Sequence, residues 1–397
     1  MWVATSQHCG KSGVNGSRRP GTSAAITPVG STHNADAARE GISRRDVELR
    51  SLAPYNDAPR HRLSFEMARE PPAWRYRMGF TAEPAKFALP ENLTSAVKGK
   101  RVFITGSGRD GGLGQAFALS AGLNGAASVA VHFHNSYADG LDTVDAINAQ
   151  GGHAFGVQAD VTNPRDVWAM RSYVIDKMGA PPDLVVCNSG RSEKGYMLGR
   201  IPRSKDEESP AMRRARVRQA FVENLEQSRD VIDTKLDGAL AVTHLWASEA
   251  IHAGHTLSVI YISSRQAVDP GPGVPGYCAA NWSVLALPKI LRTNLGRNAD
   301  KVRAFCVGYP FVRTSMTQAY ADNAKVFGRW QSRMLEPHEA AHALFQLVDR
   351  SYEETAEKFF QLEVDGPAED LSVRWSEVII EARNESCGWS DDAPLKF

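Results

Sequence analysis

The sequence lacks any uninterrupted run of about 18 apolar residues, which excludes a membrane-spanning helix. It lacks an excess of charge, because 46 Lys and Arg side chains are balanced by 45 Asp and Glu side chains. No global basic field therefore favours nucleic acid as a partner. Five cysteines without a Cys-x-x-Cys pair argue against a disulfide framework and against a zinc or other metal site. We therefore expect a reducing, cytoplasmic compartment.

The amino terminus also lacks the charged start and apolar core of a secretory signal. Its Ser and Arg content weakly resembles an organellar presequence. Residues 1–50 are rich in Gly, Ser, Thr, Ala and Arg without an apolar period, and we interpret them as a disordered tail. Residues 51–97 carry aromatics and prolines at irregular spacing, as an extended arm would. One domain is expected over residues 98–385, followed by a C-terminal tail over 386–397.

Within that domain, short β-rich apolar runs alternate with longer segments of helical period. The strand candidates are residues 101–105, 128–133, 154–160, 183–188, 257–263, 301–308 and 357–365. The helix candidates are residues 112–124, 138–150, 164–178, 230–253, 278–297 and 336–350. This alternation predicts an α/β fold with a doubly wound parallel sheet of about seven strands, Rossmann-like in architecture, with helices on both faces.

An insertion over residues 191–230 exceeds the length of a plain crossover, and we expect a loop of functional importance there. It contains a basic run with four arginines, namely Arg213, Arg214, Arg216 and Arg218. These side chains are able to bind an anionic partner, such as a phosphopantetheine arm, a coenzyme A thioester or an acidic acyl carrier protein. A solvated helix face explains the run equally well, because acidic residues flank it.

A glycine-rich loop follows the first strand candidate and opens a helix. Its predicted phosphate-binding residues are Gly106, Gly108, Arg109, Gly112, Leu113 and Gly114. Such a loop lets the backbone approach a pyrophosphate and presents free N–H groups at a helix N-terminus. The alternative is a tight turn between strand and helix, but the βαβ context favours nucleotide binding.

The second strand candidate ends in HFHNS and carries no carboxylate. Enzymes that prefer NAD usually place Asp or Glu there to hold the ribose hydroxyls. Nothing at His134 or Asn135 repels a 2′-phosphate, and Arg109 is placed to pair with one. We therefore expect NADPH (NADP) as the cofactor, unless Arg109 is merely solvated.

Together with the glycine loop, six further landmarks make residues 98–370 resemble the short-chain dehydrogenase/reductase family. They are Asp160 in QADV, CNSG over 187–190, ISS over 262–264, Tyr277 thirteen residues after Ser264, VGYPFVRT over 307–314, and VDGP over 364–367. The resemblance implies that the cofactor is also held by Asp160, Val161, Asn188, Gly190 and Thr314. It further implies proton transfer by Tyr277 with help from Ser264.

Two departures from the family pattern coincide. The usual Tyr-x-x-x-Lys reads Tyr277-Cys-Ala-Ala-Asn281, and Lys235 stands where most members carry a catalytic Asn. This exchange resembles the ketoreductase domains of modular polyketide synthases. The alternative is a pseudo-enzyme that has lost its lysine, although decay would rarely supply a compensating Lys235.

The resemblance implies an NADPH-dependent ketoreductase acting on a β-ketoacyl or polyketide-like ketone. Tyr277 would donate the proton, Ser264 would hold the substrate oxygen, and the Lys235 ammonium would lower the tyrosine pKa. Asn281 would orient Lys235 or a water. A non-catalytic nucleotide-binding scaffold and an alcohol dehydrogenase working in the oxidative direction remain alternatives. Relatives often form homo-oligomers, whereas the natural substrate and the product stereochemistry stay open.

Overall fold

The computed structural model describes residues 83–193, 208–271, 273–321, 328–366 and 371–380. All of them belong to one compact unit of the chain, Pro72–Phe397. The predicted tails over 1–50 and 386–397 lie outside the described residues, as do the first part of the predicted arm and residues 194–207 of the insertion.

An eight-stranded sheet forms the centre of the fold, with the strand order β3-β2-β1-β4-β5-β6-β7-β8. Strands β1 to β7 are parallel to their neighbours, and β8 pairs antiparallel with β7. The strands are β1 Arg101–Ile104, β2 Ser128–Phe133, β3 Ala154–Gln158, β4 Leu184–Cys187, β5 Leu257–Ser264, β6 Val302–Tyr309, β7 Phe359–Asp365 and β8 Ser372–Glu377. The central strands are buried on both faces, which explains their continuous apolar sequences. The predicted doubly wound α/β fold is confirmed.

Helices cover both faces of this sheet. They are α1 Leu113–Leu123, α2 Tyr137–Ala149, α3 Pro164–Met178, α4 Pro210–Ile232, α5 Gly238–His252, α6 Pro275–Ser283, α7 Leu287–Leu295 and α8 Pro337–Val348. One apolar cluster packs α1, α2 and α8 against the sheet, and a second packs α3, α5 and α7 against the opposite face. Among the described residues, no helix is both long and apolar enough to cross a membrane.

Strand β8 adds one strand to the seven that the sequence predicts. Its six residues are mostly exposed and polar, so it lacks the apolar run of a central strand. Trp375 anchors it, since its indole N–H donates to the carbonyl oxygen of Ala343 at 2.8 Å and its ring packs edge-on against Tyr309. The strand therefore depends on contacts with β7 and α8.

The described end of the predicted arm consists of two short 3-10 helices, Pro84–Phe87 and Glu91–Ala96. Phe87 and Leu93 are buried in the cluster formed by α1 and α8. Asn124, after α1, donates to the carbonyl oxygen of Phe87 at 2.9 Å and fixes the segment. The apolar core therefore begins before residue 98.

From Pro210 onward the insertion is a helix, which corrects the expectation of a loop but agrees with the alternative that the basic run lies on a helix face. Ser209 caps the N-terminus of α4, because its hydroxyl accepts from the N–H of Met212 at 3.2 Å. It continues through a π-helical turn, Asp233–Asp237, directly into α5. The helix predicted at 230–253 therefore begins about 20 residues earlier in the structure. Its apolar periodicity does not indicate this earlier start, because α4 is exposed on most sides.

Candidate functional site

A cleft of about 1320 Å³ opens where the parallel strands end at their carboxyl termini. It lies beside the point where the strand order reverses between β1 and β4, the usual ligand position in open α/β sheets. The structure brings every predicted site residue to its lining. These are Gly106, Gly108, Arg109, Gly112, Leu113, Gly114, His134, Asn135, Asp160, Val161, Asn188, Gly190, Lys235, Ser264, Tyr277, Asn281 and Thr314.

The glycine loop between β1 and α1 forms one wall of the cleft. Gly106 has a φ of +65°, which favours glycine. At Gly114 a Cβ atom would lie 2.3 Å from the carbonyl oxygen of Gly106, so no side chain fits there. Gly112 precedes α1 and has no side chain to cap it. The loop is thus a cradle of bare backbone at a helix N-terminus, which suits a pyrophosphate.

His132, on β2, supports this loop from below. The backbone N–H of Gly106 donates to its Nδ1 at 3.2 Å, and the N–H of Ser107 donates to its carbonyl oxygen at 2.8 Å. Burial lowers the pKa of His132 to about 4. The ring is therefore neutral near pH 7, as its acceptor role requires. No motif in the sequence marks this role.

The loop after β4 is tied to the loop after β1 by Asn188. Its Nδ2 donates to the carbonyl oxygens of Thr105 at 3.0 Å and Gly106 at 3.1 Å. In return, the Thr105 hydroxyl oxygen accepts from the backbone N–H groups of Asn188 and Ser189, both at 2.9 Å. These bonds hold the two loops on which a dinucleotide would rest.

The far end of the cleft is formed by Asp160 and the residues that follow β2. Burial raises the pKa of Asp160, but hydrogen bonds from Thr162 and the charges of His134 and Arg191 outweigh it, and the pKa lies below its ordinary value. His134 Nε2 lies 3.9 Å from the carboxylate. Arg109 lines the same cleft. This end offers the guanidinium groups of Arg109 and Arg191 beside one hydrogen-bonded carboxylate.

At the opposite end, Tyr277 on α6 faces the carboxyl end of β5. Its pKa is raised by burial, while hydrogen bonds with the side chains of Ser264 and Asn281 oppose that rise. Asn281 stands one turn later and is buried, and its amide donates to the carbonyl oxygen of Tyr277 at 2.9 Å. Serine hydroxyl, phenol and amide therefore meet in one place, as the sequence predicts.

Lys235 enters the site from the π-helical turn between α4 and α5, a type of turn frequent at functional sites. Its side chain is buried and its Nζ donates to the carbonyl oxygen of Ser189 at 3.3 Å. Burial lowers the pKa of Lys235 to about 8, an effect that the thiols of Cys306 and Cys187 oppose. The amine therefore does not extend into water.

We expected the Lys235 ammonium to lower the pKa of Tyr277. In the described part of the chain, the groups that shift this pKa are Ser264, Asn281 and Cys278, and Lys235 is not one of them. The physical reason is that the amine is directed to the Ser189 carbonyl beside the cofactor loops. Burial therefore raises the pKa of Tyr277 above its ordinary value in this structure.

One buried carboxylate in the cleft has no counterpart in the predictions. Glu193 is 6% exposed and lines the cleft beside α6. It accepts hydrogen bonds from the backbone N–H of Tyr277 and from the hydroxyl of Ser228. The contact with Tyr277 spans 84 residues of sequence, so no local pattern could have indicated it.

Comparison with known proteins agrees with this geometry. Residues 100–325 match the sequence model of a protein family described as short chain dehydrogenase. That range includes the glycine loop, Lys235, Ser264, Tyr277 and Asn281.

Among characterised relatives, the chain is 26% identical to the 3-oxoacyl-(acyl-carrier-protein) reductase FabG of Staphylococcus aureus. That match extends over 226 residues, 57% of this chain and 80% of the relative. The chain is also 36% identical over 110 residues to Elsinochrome reductase 1 of Elsinoe fawcettii, which is 28% of this chain and 40% of the relative.

The fold is shared with a solved gluconate 5-dehydrogenase of Burkholderia cenocepacia, whose structure contains NADP and tartrate. The two chains superpose with a TM-score of 0.53 at 20% identity, over 70% of this chain and 96% of the other.

Proposed function

Since the chain belongs to the short chain dehydrogenase family, we propose that it is an NADPH-dependent ketoreductase that reduces a ketone to an alcohol. The observation that carries the proposal is the meeting of Tyr277, Ser264 and Asn281 in the cleft that the glycine loop opens into. Lys235, buried at the same cleft, is the fourth member of the proposed catalytic set.

The residues of the cleft fit a dinucleotide. The backbone of Gly106 and Gly114 leaves room for the pyrophosphate, while Asp160, Asn188 and Thr314 line the remaining length. NADPH is favoured over NADH because β2 ends without a carboxylate, while Arg109 and His134 are available for a 2′-phosphate. When bound, the nicotinamide supplies the hydride that reduces the carbonyl carbon.

The protein must deliver the proton. Tyr277 holds its proton at neutral pH because burial raises its pKa, so the phenol is a proton donor in the resting site. Ser264 hydrogen-bonds the ketone oxygen and strengthens that bond as negative charge develops. Hydrogen bonds from Ser264 and Asn281 then stabilise the phenolate that remains.

Lys235 supplies a positive charge to the same cleft, on the side of the Ser189 carbonyl. With its pKa lowered to about 8, the amine remains mostly protonated at pH 7. A buried charge acts through a low local dielectric and therefore favours nearby negative charge more than an exposed lysine would. We propose that Lys235 places its ammonium at the Ser189 side of the cleft and there favours negative charge on the bound substrate and cofactor, whereas most family members carry their lysine at the position of Asn281.

A β-ketoacyl or polyketide-like ketone is the proposed substrate class, in keeping with the reductase relatives. The arginines of α4 support a carrier-bound form, either an acyl carrier protein or a coenzyme A thioester. Arg213, Arg214 and Arg218 are exposed, whereas Arg216 is paired with Glu208. An acidic carrier surface complements the exposed three.

Oxidation of NADPH tests the proposal, with acetoacetyl thioesters and a decalone as ketones and with cofactor binding followed by fluorescence. We expect turnover that Tyr277→Phe abolishes while binding persists. Binding without turnover over a broad ketone panel would identify a nucleotide-binding scaffold instead. Turnover with alcohols and NADP alone would identify a dehydrogenase of the oxidative direction.

A further inference from the structure

We propose that Glu193 is a positioning residue, which caps the N-terminus of α6 and thereby fixes Tyr277 relative to Ser264. The inference rests on the proposed function, because it concerns the proton donor of that reaction. It adds a residue that neither the motifs nor the family pattern marks.

Helix α6 has no cap of its own. Val274 precedes it and offers no side-chain oxygen, and Pro275 has no N–H group. Tyr277 is the third residue of the helix, so its N–H has no partner within the helix. Glu193 Oε1 accepts from this N–H at 2.9 Å and supplies the missing cap from another loop.

Both oxygens of the Glu193 carboxylate are engaged although the side chain is only 6% exposed. Oε2 accepts from the hydroxyl of Ser228, on α4, at 2.6 Å. A buried carboxylate is costly unless it is hydrogen-bonded. Here the positive end of the α6 dipole also favours it. The carboxylate thus connects the loop after β4, helix α4 and helix α6.

The packing at Gly276 shows how closely these elements approach. A Cβ atom at position 276 would lie 2.7 Å from Glu193 Oε2 and 2.7 Å from the Cα atom of Ser228. Any side chain there would displace the carboxylate, the α4 backbone, or α6 itself. The residue that precedes Tyr277 is therefore held against the cap, and displacement of the cap would shift the phenol.

Two substitutions at position 193 separate hydrogen bonding from simple packing. Glu193→Gln keeps an oxygen for the Tyr277 N–H, and its amide is able to donate to the Ser228 hydroxyl. Glu193→Leu removes both bonds. We expect Glu193→Leu to lower kcat about tenfold, as misplacement of a catalytic group does, with NADPH Kd changed less than about twofold. We expect Glu193→Gln to stay within about threefold of wild-type kcat.

Hydrogen exchange at the Tyr277 amide provides a readout that does not depend on turnover. Exchange should be faster in Glu193→Leu and close to wild type in Glu193→Gln, because only the former leaves that N–H without an acceptor. The alkaline limb of the kcat profile, to which Lys235 and Tyr277 both contribute, should move in Glu193→Leu alone.

Glu354→Leu is the matched control. Glu354 accepts from the N–H of Ser351 at 2.9 Å at the start of a short helix whose residues do not line the cleft. Its loss should lower Tm without moving kcat or the pH profile. If Glu193→Leu does not fold, Gly276→Ala takes its place with the same expected loss of kcat.

Unchanged kcat, pH profile and Tyr277 exchange in folded Glu193→Leu, or in Gly276→Ala where that variant replaces it, would overturn the inference. Wild-type protein that turns over no ketone would refute the proposed function instead, and the exchange experiment would still decide whether Glu193 caps α6.

Discussion

The ammonium of Lys235 donates a hydrogen bond to the carbonyl oxygen of Ser189 across 3.3 Å. This contact places a lysine from the turn before α5 against the loop that follows β4. Asn281 meanwhile occupies the turn of α6 after Tyr277, where its amide bonds the Tyr277 carbonyl oxygen. The two exchanged residues are thus both buried, but they bind different segments of the site.

Burial of Lys235 has a consequence for stability. Its pKa falls from 10.5 to about 8, so between these pH values the unfolded chain binds more protons and stability rises with pH. At pH 7 the whole penalty is present, on the order of 3 kcal/mol at about 1.4 kcal/mol per pKa unit. Lys235→Met should therefore unfold at higher urea than wild type at pH 7, and the gain should shrink by pH 10. A gain that is the same at both pH values would contradict this.

Cofactor preference should depend on Arg109. Arg109→Ala is expected to weaken NADPH binding about tenfold, equivalent to about 1.4 kcal/mol, while NADH binding changes less than about twofold. The reason is that only NADPH carries the 2′-phosphate. Fluorescence titration with both cofactors measures the ratio. Arg165→Ala, an exposed arginine on α3 outside the cleft lining, is the control. If Arg109→Ala weakened the binding of NADPH and NADH equally, Arg109 would not bind the 2′-phosphate.

His132 should make stability depend on pH in the acid range. Its folded pKa of about 4 lies below the ordinary value of 6.5. The unfolded chain therefore binds more protons between these values, and stability is lost as pH falls from 6.5 towards 4. His132→Gln should flatten this slope while its oxygen still accepts from the Gly106 N–H. His132→Leu should also loosen NADPH about tenfold. An unaltered slope and affinity in both variants would refute the assignment.

The α4 arginines should matter only for carrier-bound substrates. Replacement of Arg213, Arg214 and Arg218 by Ala should raise KM for an acyl-carrier-protein substrate about tenfold and reduce its dependence on salt, since exposed charge pairs are screened. KM for a decalone should stay constant. The charge-matched control variants are Arg165→Ala, Lys177→Ala and Lys289→Ala. If both substrates respond alike, or neither does, the arginines are a solvated helix face.

The sequence predicts the sheet and the nucleotide loop well because their signals are local. Central strands such as β2 are buried along their whole length and leave continuous apolar runs. The glycine pattern is visible in the sequence because single positions such as Gly114 lie too close to neighbouring backbone atoms to carry a side chain. The length of helix α4 was not predicted, because the helix buries one residue, Val231, and therefore has no apolar stripe.

Long-range contacts explain the remaining differences. Glu193 and Tyr277 are separated by 84 residues. The sequence around a single Glu in a polar loop does not indicate which helix this residue caps. The family resemblance places Lys235 in the site, but it does not reveal that the amine binds the Ser189 carbonyl. Such partners depend on the packing of α4 against α6, which only the folded chain defines.

The most direct test compares NADPH oxidation by wild type, Lys235→Ala and Tyr277→Phe on one ketone, with NADPH affinity measured in parallel. We expect both variants to lose at least about a hundredfold in kcat, in the range attributed to general acid catalysis, while each binds NADPH within about fivefold of wild type. Full turnover by Lys235→Ala would contradict the proposed function of this residue, because the positive charge that Lys235 places in the cleft would then be dispensable for the reaction.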